Sequence, residues 1–509
     1  MSTARTWAVA LTGVDGHLVE VEADMSNQTP EFRIIGLPDK SLGEAVQRVH
    51  NACKNAGLDL PRRRLTVNLS PASLPKHGAG FDLGVAVACL AAGGAVDSRS
   101  IARTVHIGEL GLDGRIRPVP GVLPAVFAAA RAGFDTAIVP YGNEAEARLV
   151  PGIEVRAAGS LAEVAVWHGA DVEVPEVEFV EVATETRSSS EALDLADVIG
   201  QEEAVEALVV AAAGGHHMLL SGPPGAGKTM LARRLPGIMP ALDEDEALEV
   251  ASVRSLSGER VTALDSLPPL EAPHHSASVA ALIGGGSRAA RPGAIARAHR
   301  GVLFLDEAAE FSRVALDALR QPLESGVIAV HRAGFTATFP ARFQLVLAMN
   351  PCPCGNHGVR GAECVCPPMA IRRYATRLSG PLRDRIDIDL QVTRVAASRA
   401  MGDASAELTT ERARNRVADA RARAASRWRS TRWRRNADVP GTWLRQGALR
   451  LPASTRSSLD RALERGALTL RGYDRVLRVA WTMADLAGLD RPGTDEIGRA
   501  LHLRRGLPR

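Results

Sequence analysis

Lysine is scarce in this chain of 509 residues: four of the 61 basic residues are lysines, and the other 57 are arginines. Long apolar runs are also lacking, since the stretches 83–92 and 205–213 are too short to cross a bilayer as helices. The first ten residues hold one arginine and no apolar core of the kind that signal peptides carry. These absences exclude a membrane-spanning protein, and we expect a cytoplasmic location and no membrane partner.

Cysteine is nearly as scarce, with six residues. Cys53 and Cys89 stand alone in apolar patterns, which is typical of small buried side chains. The other four lie between residues 352 and 366, and such a cluster in a cytosolic protein favours a metal site over disulfides. The net charge of +3 is uninformative, and the length predicts about three domains.

The centre of the chain contains a phosphate-binding sequence. The apolar run Met218–Leu220 predicts a buried strand, the residues after Ser221 fit G-x-x-x-x-G-K-[ST], and a helix-like segment follows. Glycines let backbone N–H groups curl round phosphates, and a helix N-terminus adds positive potential. In this pattern the lysine reaches the β- and γ-phosphates and the hydroxyl holds Mg²⁺. The sequence therefore predicts an ATP and Mg²⁺ site formed by Gly222, Pro223, Pro224, Gly225, Ala226, Gly227, Lys228 and Thr229.

A second apolar strand, Val302–Leu305, delivers Asp306 and Glu307 at its carboxyl end. A buried strand that ends in two acids, roughly 80 residues after a phosphate-binding loop, is typical of a Walker B motif. We predict that Asp306 orients Mg²⁺ and that Glu307 polarises the attacking water.

Two further positions resemble parts of AAA+ ATPases. Asn350 ends the apolar run Leu345–Met349 and matches the sensor-1 position, where it would hold the lytic water. Arg385 matches the arginine finger that completes the active site of a neighbouring subunit. Arg383 is a competing candidate, and a surface ion pair is the plain alternative for Arg385. The resemblance implies a ring of identical subunits, a hexamer in related ATPases.

The first 170 residues alternate strand-like and helical patterns, which predicts an α+β domain. Three stretches in this region resemble the proteolytic domain of Lon proteases: 75–82, 108–115 and 128–133. That family uses a Ser–Lys dyad, but this sequence has Gly80 at the serine position and Leu123 at the lysine position. Because both the serine and the lysine are missing, no activated nucleophile can form. The resemblance therefore implies a Lon-like fold without peptidase activity.

Charge and composition divide the chain into four segments. Residues 171–197 carry nine acids against one base, Arg187. This pattern indicates a solvated linker, with an anion-mimicking segment as the alternative. We expect a multidomain α/β protein. It would have a Lon-like domain at 1–170, an acidic linker at 171–197, an α/β ATPase core with a cysteine knuckle at 198–394 and a helical C-terminal domain at 395–509.

Two insertions distinguish the core from a plain AAA+ module. One contains His274 and His275; adjacent histidines suggest a metal site, but neighbours rarely point the same way, which favours a loop role. The other, residues 321–341, has two alternating runs around a turn and predicts a β-hairpin. Together they resemble the magnesium-chelatase-like AAA+ group, which has a helix-2 insert and a pre-sensor-1 hairpin. His331 and Arg332 near the hairpin tip would suit contact with phosphate.

The clustered cysteines form two C-x-C pairs, Cys352 with Cys354 and Cys364 with Cys366. Four thiolates can enclose a tetrahedral Zn²⁺, although this spacing is tighter than the usual C-x₂-C. Soft thiolates in the cytosol favour zinc. A redox-active set and four incidental cysteines are the alternatives, and His357 is a spare ligand.

The C-terminal segment is helical and rich in arginine. Between residues 411 and 435, ten arginines and two acids are interleaved with Trp428 and Trp433. A solvated helix face and a nucleic-acid contact are equally supported by this pattern. Farther on, the amphipathic run 471–486 resembles the lid helix of the same family, with Arg475 at the sensor-2 position and Arg478 as the alternative.

The order of these parts resembles the ComM/YifB family of magnesium-chelatase-like AAA+ proteins over nearly the whole chain. The resemblance implies an ATP-driven hexameric ring that acts on single-stranded or branched DNA. It further implies a branch-migration helicase for homologous recombination and natural transformation. A protein-remodelling motor without protease activity and a chelatase-type motor are the alternatives. The Lon-like region and the lack of an integrin-like domain count against a chelatase.

Overall fold

The computed structural model describes residues 2–36, 40–176, 193–285, 290–332, 335–359, 361–395 and 408–504. Most of the expected acidic linker, residues 177–192, lies outside this set, as do Ala333 and Gly334 at the expected hairpin tip and residues 396–407 at the start of the expected C-terminal domain. Within the described residues no helix combines the length and the apolar character needed to cross a membrane.

The N-terminal region is built on a mixed seven-stranded sheet in the order β3-β4-β2-β1-β5-β8-β9. Helix α2, whose 11 residues are all buried, packs against it because its small and aliphatic side chains leave no polar face. The strands are β1 (Ser2–Thr12), β2 (Asp15–Ser26), β3 (Glu31–Ile35), β4 (Arg64–Ser70), β5 (Thr104–His106), β6 (Glu109–Leu110), β7 (Ile116–Arg117), β8 (Thr136–Pro140) and β9 (Glu154–Ala158). The helices are α1 (Lys40–Asn55), α2 (Asp82–Ala92), α3 (Ser98–Ile101), α4 (Val122–Arg131), α5 (Glu144–Ala147) and α6 (Leu161–Trp167).

A five-stranded parallel sheet in the order β11-β14-β17-β10-β18 forms the central region. Its middle strands are buried on both faces and read as continuous apolar runs, as parallel sheets covered by helices do. Its strands are β10 (Met218–Ser221), β11 (Leu270–Glu271), β14 (Val302–Leu305), β17 (Gln344–Met349) and β18 (Ile388–Gln391). The covering helices are α7 (Glu202–Gly214), α8 (Lys228–Ile238), α9 (Glu244–Ser257), α10 (Val279–Ile283), α11 (Ala294–Arg297), α12 (Arg313–Ala318), α13 (Arg320–Ser325), α14 (Pro368–Ala375) and α15 (Gly380–Arg383).

Two small antiparallel ribbons leave this sheet. Strands β12 (Gly284–Gly285) and β13 (Arg291–Pro292) pair in the first. Strands β15 (Val327–Arg332) and β16 (Phe335–Pro340) pair in the second, which is the β-hairpin that the alternating pattern predicts. The expected α/β character of the chain is confirmed, and its central sheet is parallel.

The C-terminal region is a helical bundle that packs on the central sheet. Its helices are α16 (Thr410–Arg427), α17 (Gly441–Arg445), α18 (Ala453–Glu464), α19 (Leu470–Leu486) and α20 (Thr494–His502). The apolar faces of α16 and α19 share one hydrophobic core with α7 and α8 of the central region. The bundle is therefore attached to the side of the sheet on which α7 lies.

The N-terminal region docks on the central one at two places. The amide of Gly121, at the start of α4, donates to the carbonyl oxygen of Ser255 over 3.1 Å, and Leu248 and Ala251 of α9 are buried in the N-terminal core. At the second place the β1–β2 turn meets the hairpin: a Cβ on Gly13 (φ +69°) would collide with the carbonyl oxygen of Thr338. The Lon-like region thus touches both α9 and the hairpin.

Candidate active site

The phosphate-binding loop runs from the carboxyl end of β10 to the first turn of α8. Gly225 and Gly227 have φ values of +74° and +85°, a backbone region that side chains disfavour. With both glycines in this conformation the loop folds over the N-terminus of α8, which begins at Lys228. The strand and helix expected around the motif are both present.

Lys228 lies inside this loop. Its Nζ donates to the carbonyl oxygens of Gly222 (2.7 Å) and Pro223 (3.0 Å) and to Asn350 Oδ1 (3.1 Å). Burial lowers the pKa of the ammonium group from its ordinary value. The expected phosphate-binding lysine and the expected sensor-1 asparagine therefore lie within hydrogen-bond distance of each other.

Thr229 and the two acids after β14 face the same space. Thr229 Oγ1 donates to Asp306 Oδ2 over 2.6 Å, and the amide of Glu307 donates to Asp306 Oδ1 over 2.9 Å. Because β10, β17 and β14 are parallel neighbours, their carboxyl ends meet at one edge of the sheet. This edge brings together five of the residues expected from sequence: Lys228, Thr229, Asp306, Glu307 and Asn350.

Glu307 has an unusual backbone and an unexpected partner. Its φ and ψ of +50° and +44° lie in the left-handed region, which is rare for a residue other than glycine. Its Oε2 lies 3.1 Å from Nδ1 of His275. The adjacent histidines in sequence indicate a loop role for His275 and do not reveal this pair. The position of His275 after β11 could have indicated the pair, because β11 lies next to β14, which Glu307 follows, in the sheet.

Arg385 and Arg475 lie at the opposite edge of the sheet. Arg385 precedes β18, where it forms an ion pair with Glu324 and donates to the carbonyl oxygen of Pro381 over 2.6 Å. Arg475 of α19 donates to buried Asp387 over 2.5 Å. Burial alone would raise the pKa of Asp387, but Arg475 and two neighbouring histidines hold it well below its usual range.

Strand β18 separates these arginines from the phosphate-binding loop of their own chain. Four residues of strand span about 13 Å, and the loop lies beyond the carboxyl end of the neighbouring strand, β10. Arg475, expected to reach a nucleotide from the lid, is therefore not brought to its own chain's loop. Any nucleotide contact by Arg385 or Arg475 would have to be made to another subunit.

The four cysteines converge beside the phosphate-binding loop. Their sulfur atoms all lie within 4.8 Å of one another, and Cys352 Sγ is 3.4 Å from Cys354 Sγ and 3.7 Å from Cys364 Sγ. The amide of Asn356 donates to the Cys354 thiol and lowers its pKa to about 6. A Cβ on Gly355 would collide with the ring of Pro224, so the cysteine loop touches the phosphate-binding loop directly.

The C-terminal tryptophans and arginines serve mainly the fold. Trp428 and Trp433 are buried, and Trp428 Nε1 donates to Asn436 Oδ1 over 3.0 Å, so in this structure neither ring is exposed for stacking on bases. Six of the ten arginines between residues 411 and 435 bond to partners within the chain: Arg414, Arg416, Arg421, Arg423, Arg427 and Arg435. These six arginines thus support the fold, a role that neither the solvated-face nor the nucleic-acid interpretation of the run predicts.

The two positions at which Lon proteases carry their dyad hold no reactive group. The carbonyl oxygen of Gly80 accepts from the amide of Gly108 over 3.0 Å, and Leu123 is buried in the core of the N-terminal region. The nearby lysine, Lys76, is buried, and its Nζ donates to the carbonyl oxygens of Gly36, Leu69 and Pro71. Lys76 is thus part of the fold, and the absence of peptidase activity stays a prediction.

Three family models match the chain. They are "Magnesium chelatase, subunit ChlI" at residues 194–400, "Subunit ChlI of Mg-chelatase" at 21–143 and "Magnesium chelatase, subunit ChlI C-terminal" at 407–504. The competence protein ComM of Haemophilus influenzae is 40% identical over 506 residues, which are 99% of this chain and 98% of ComM. The chain belongs to the magnesium-chelatase-like ComM/YifB family of AAA+ proteins.

Two further proteins are similar to this chain, one over its whole length and one over part of it. An uncharacterized protein of Mycobacterium tuberculosis is 48% identical over 507 residues, 99% of each chain. The Lon protease of Mycolicibacterium smegmatis is 29% identical over 154 residues, 28% of this chain and 19% of the protease. The similarity to Lon proteases is thereby confirmed, while the domain boundaries and the assignments of lid and inserts stay predictions.

The ion pair between Arg427 and buried Asp485 yields a prediction about stability. Arg427 also lies over the ring of Trp481, with its guanidinium carbon 4.5 Å from the ring centroid. Replacing Arg427 with Ala leaves a buried carboxylate without its cation, which costs about 3 kcal/mol of unfolding free energy. Urea unfolding followed by tryptophan fluorescence measures this loss, because four of the six tryptophans lie after residue 427.

The matched control is Arg429→Ala, two residues farther along the chain at an exposed position. This change should alter the unfolding free energy by less than about 0.5 kcal/mol. Equal effects of the two substitutions would contradict a structural role for Arg427.

Proposed function

We propose that the protein is an ATP-driven ring motor that acts on DNA and moves branched recombination junctions. The observation that carries the ATPase part is the convergence of Lys228, Thr229, Asp306, Glu307 and Asn350 at one edge of the parallel sheet. The family implies the use of ATP and Mg²⁺, and these side chains are suited to bind both.

The residues at this edge divide the chemistry among them. Lys228 would neutralise the β- and γ-phosphates, and Thr229 with Asp306 would hold Mg²⁺, for which their pairing at 2.6 Å already brings a hydroxyl and a carboxylate together. Glu307 would orient the attacking water, and Asn350 would hold that water near the γ-phosphate. Bound Mg²⁺ supplies charge neutralisation at the transferring phosphoryl group.

The arginines at the opposite edge support a ring. A cavity of about 700 Å³ there is lined by Arg385, Arg471, Arg475 and Arg478 among other residues. Burial and, after it, the nearby arginines lower the pKa of Arg385 from its ordinary value. A nucleotide carried by a neighbouring subunit would meet these groups, so each active site would combine one subunit's loop with another's Arg385 and Arg475. A closed ring, with six subunits as in related ATPases, satisfies this need for every copy.

We propose DNA as the substrate on the strength of one relative's description. ComM of Haemophilus influenzae is described as a competence protein, and we infer a role in natural transformation and homologous recombination here. Because six of the ten arginines between residues 411 and 435 are engaged within the chain, the hairpin β15–β16 is the better candidate for DNA contact. His331 on this hairpin is exposed and lies near its tip.

We also propose that the four-cysteine cluster binds a structural Zn²⁺. A tetrahedron with Zn–S bonds of about 2.3 Å has sulfur–sulfur edges of about 3.8 Å, close to the 3.4 Å and 3.7 Å separations between these thiols. With zinc bound, the cysteine loop would restrain Asn350, which lies just before it in the chain. It would also restrain the phosphate-binding loop through the contact of Gly355 with Pro224.

The first prediction concerns DNA-dependent turnover. ATP hydrolysis should rise strongly when a four-way DNA junction is added, and the junction should be converted to duplex products only with ATP. Lys228→Ala should lower kcat by at least about 100-fold, since a buried cation at the phosphates is lost. The DNA affinity should fall steeply as salt rises from 50 to 200 mM, because phosphate contacts release counterions.

ATPase activity that no DNA form changes would contradict the DNA motor. A protein substrate would then be tested, and the Lon-like region, which touches the hairpin, would be the first candidate for its docking site.

The ring is tested by mixing inactive variants. Arg385→Ala should lose about 1,000-fold in turnover, as arginine-finger removal does, and Lys228→Ala should be inactive as well. Mixed rings should regain activity, because a Lys228→Ala subunit offers an intact Arg385 to the intact loop of its Arg385→Ala neighbour. Mixing Lys228→Ala with Glu307→Gln is the control and should restore nothing, since both changes disable the same half of the site. If neither mixture regained ATPase activity, a site shared between subunits would be contradicted.

Zinc is tested by elemental analysis of the purified chain. We expect about one zinc per chain, a number set by four thiolate ligands. Cys364→Ser and Cys366→Ser should each release it, whereas Cys53→Ser, which alters a buried thiol in the N-terminal region, should retain it. Zinc-free protein from a zinc-replete preparation would refute the site.

A further inference from the structure

Two apolar side chains stand out from the surface next to the cysteine cluster. Val365 is 78% exposed and Met369 is 82% exposed, the largest exposed fractions among the large apolar residues that the structure describes. Pro367 and Pro368, which lie between them, are exposed as well. We call residues 365–369 the apolar tip. Contiguous apolar surface of this kind is typical of a contact site for another molecule.

The fold holds the apolar tip in place at both ends. Val365 lies between Cys364 and Cys366, and the sulfur atoms of these two cysteines and of the other two all lie within 4.8 Å of one another. At the other end, Pro368 begins α14, a position that suits the fixed φ of proline. A segment that is already ordered loses little conformational entropy when it docks, so the tip is suited to a rigid contact.

The apolar tip lies beside the phosphate-binding loop. The cysteine loop that carries the tip contacts the phosphate-binding loop, because Gly355 lies against the ring of Pro224. In the proposed ring the phosphate-binding loop faces the neighbouring subunit that supplies Arg385 and Arg475. The tip therefore lies near the border between the two subunits.

A cavity of about 1210 Å³ lies between the central region and the C-terminal bundle. We call it the bundle cavity, and its walls come from α14, α15, α18, α19 and α20. Asp384 lines both this cavity and the smaller one that contains Arg385. The two cavities therefore adjoin, and a subunit whose nucleotide meets Arg385 would bring the loops beside that nucleotide close to the bundle cavity.

The wall of the bundle cavity combines apolar and basic groups. Leu378, Ala467 and Leu468 offer apolar surface to an occupant. Five arginines and two aspartates also line the cavity, and two of these arginines, Arg461 and Arg465, are exposed. The cavity thus suits an apolar side chain and disfavours an added positive charge.

The apolar tip does not fill the bundle cavity of its own chain. Met369 stands near the start of α14, and Ala375, which lines the cavity, stands at its end. A helix of eight residues is about 12 Å long, and the exposure of Met369 agrees with this separation. A tip that enters such a cavity must therefore belong to another copy of the chain.

We propose that the apolar tip of one subunit docks into the bundle cavity of its neighbour. This inference rests on the proposed ring and extends it: the subunit that offers Arg385 to a nucleotide also receives the tip of the subunit that holds that nucleotide. Each copy has one tip and one cavity, and head-to-tail contacts of this kind generate rings. Docking would hold the cysteine loop, and Asn350 just before it, against the neighbouring subunit.

The first experiment measures ring assembly by sedimentation velocity of the full chain with Mg²⁺ and a non-hydrolysable ATP analogue. Met369→Arg and Val365→Arg should each raise the subunit concentration at half-assembly by at least about tenfold, the scale of losing one buried apolar side chain. The matched control, Leu112→Arg, changes an exposed leucine of the N-terminal region and should assemble as the unaltered protein does.

The sign of the added charge tests whether the tip enters the bundle cavity. Met369→Glu should raise the half-assembly concentration less than Met369→Arg does, since arginines outnumber aspartates in the cavity wall. Adding Ala467→Glu to Met369→Arg should lower that concentration again by about threefold, because an opposite charge then faces the arginine. Equal losses of assembly in Met369→Glu and Met369→Arg would overturn the proposal.

A cross-link identifies the partner surface directly. A photoreactive benzophenone amino acid is placed at position 369, and chains labelled with a heavy isotope are mixed with unlabelled chains before illumination. We expect cross-links between chains of different label, from position 369 to residues 461–472. Cross-links confined to chains of one label, or to other segments of the neighbour, would overturn the docking.

Failure of the docking differs from failure of the ring. If the unaltered protein assembles and Met369→Arg assembles equally well, the docking is overturned and the ring stands. If the unaltered protein stays monomeric at every concentration, both are overturned. If it assembles but its ATPase does not respond to DNA, only the DNA part of the proposed function fails, and loss of assembly in the tip variants would still support the docking.

Discussion

The parallel pairing of β14, β17 and β10 is the constraint on which the candidate site depends. Each strand is a short apolar run that is buried on both faces, and each ends in the residues that face the phosphate-binding space. Parallel strands have their carboxyl ends at the same edge, so chain segments more than 100 residues apart deliver Lys228 and Asn350 to within 3.1 Å. Any shift of register between these strands would separate the cation from the asparagine.

The same geometry keeps Arg385 and Arg475 away from the phosphate-binding loop of their own chain. The carboxyl edge holds the loop and the acids, while Arg385 and Arg475 lie where β18 begins. The four residues of β18 span about 13 Å, so side chains at its start do not reach the loop beyond the carboxyl edge of the same subunit. The buried ion pair of Arg475 with Asp387 instead holds the C-terminal bundle against the start of β18, so the bundle position and the arginine position are set by one contact.

Charged side chains that look alike in sequence have different tasks in this fold. Arg427 and Arg429 are two residues apart, yet the first pairs with buried Asp485 and the second is exposed. His274 and His275 are adjacent, yet only the second meets Glu307. Composition explains why the chain offers so many arginines, but the partner of each is decided by the helix face and the neighbour against which it packs.

The sequence by itself determined the local chemistry: the glycine-rich loop between strand and helix, the two acids after a buried strand, the hairpin, and the lack of a Ser–Lys dyad. These follow from short-range rules, since strand, turn and helix preferences depend on nearby residues. Only the tertiary structure decided that Trp428 and Trp433 are buried, that Arg475 lies at the far edge of the sheet and that His275 reaches Glu307. The physical reason is that such contacts join segments that are distant in the chain, and their geometry depends on strand order and helix packing, which no local pattern encodes.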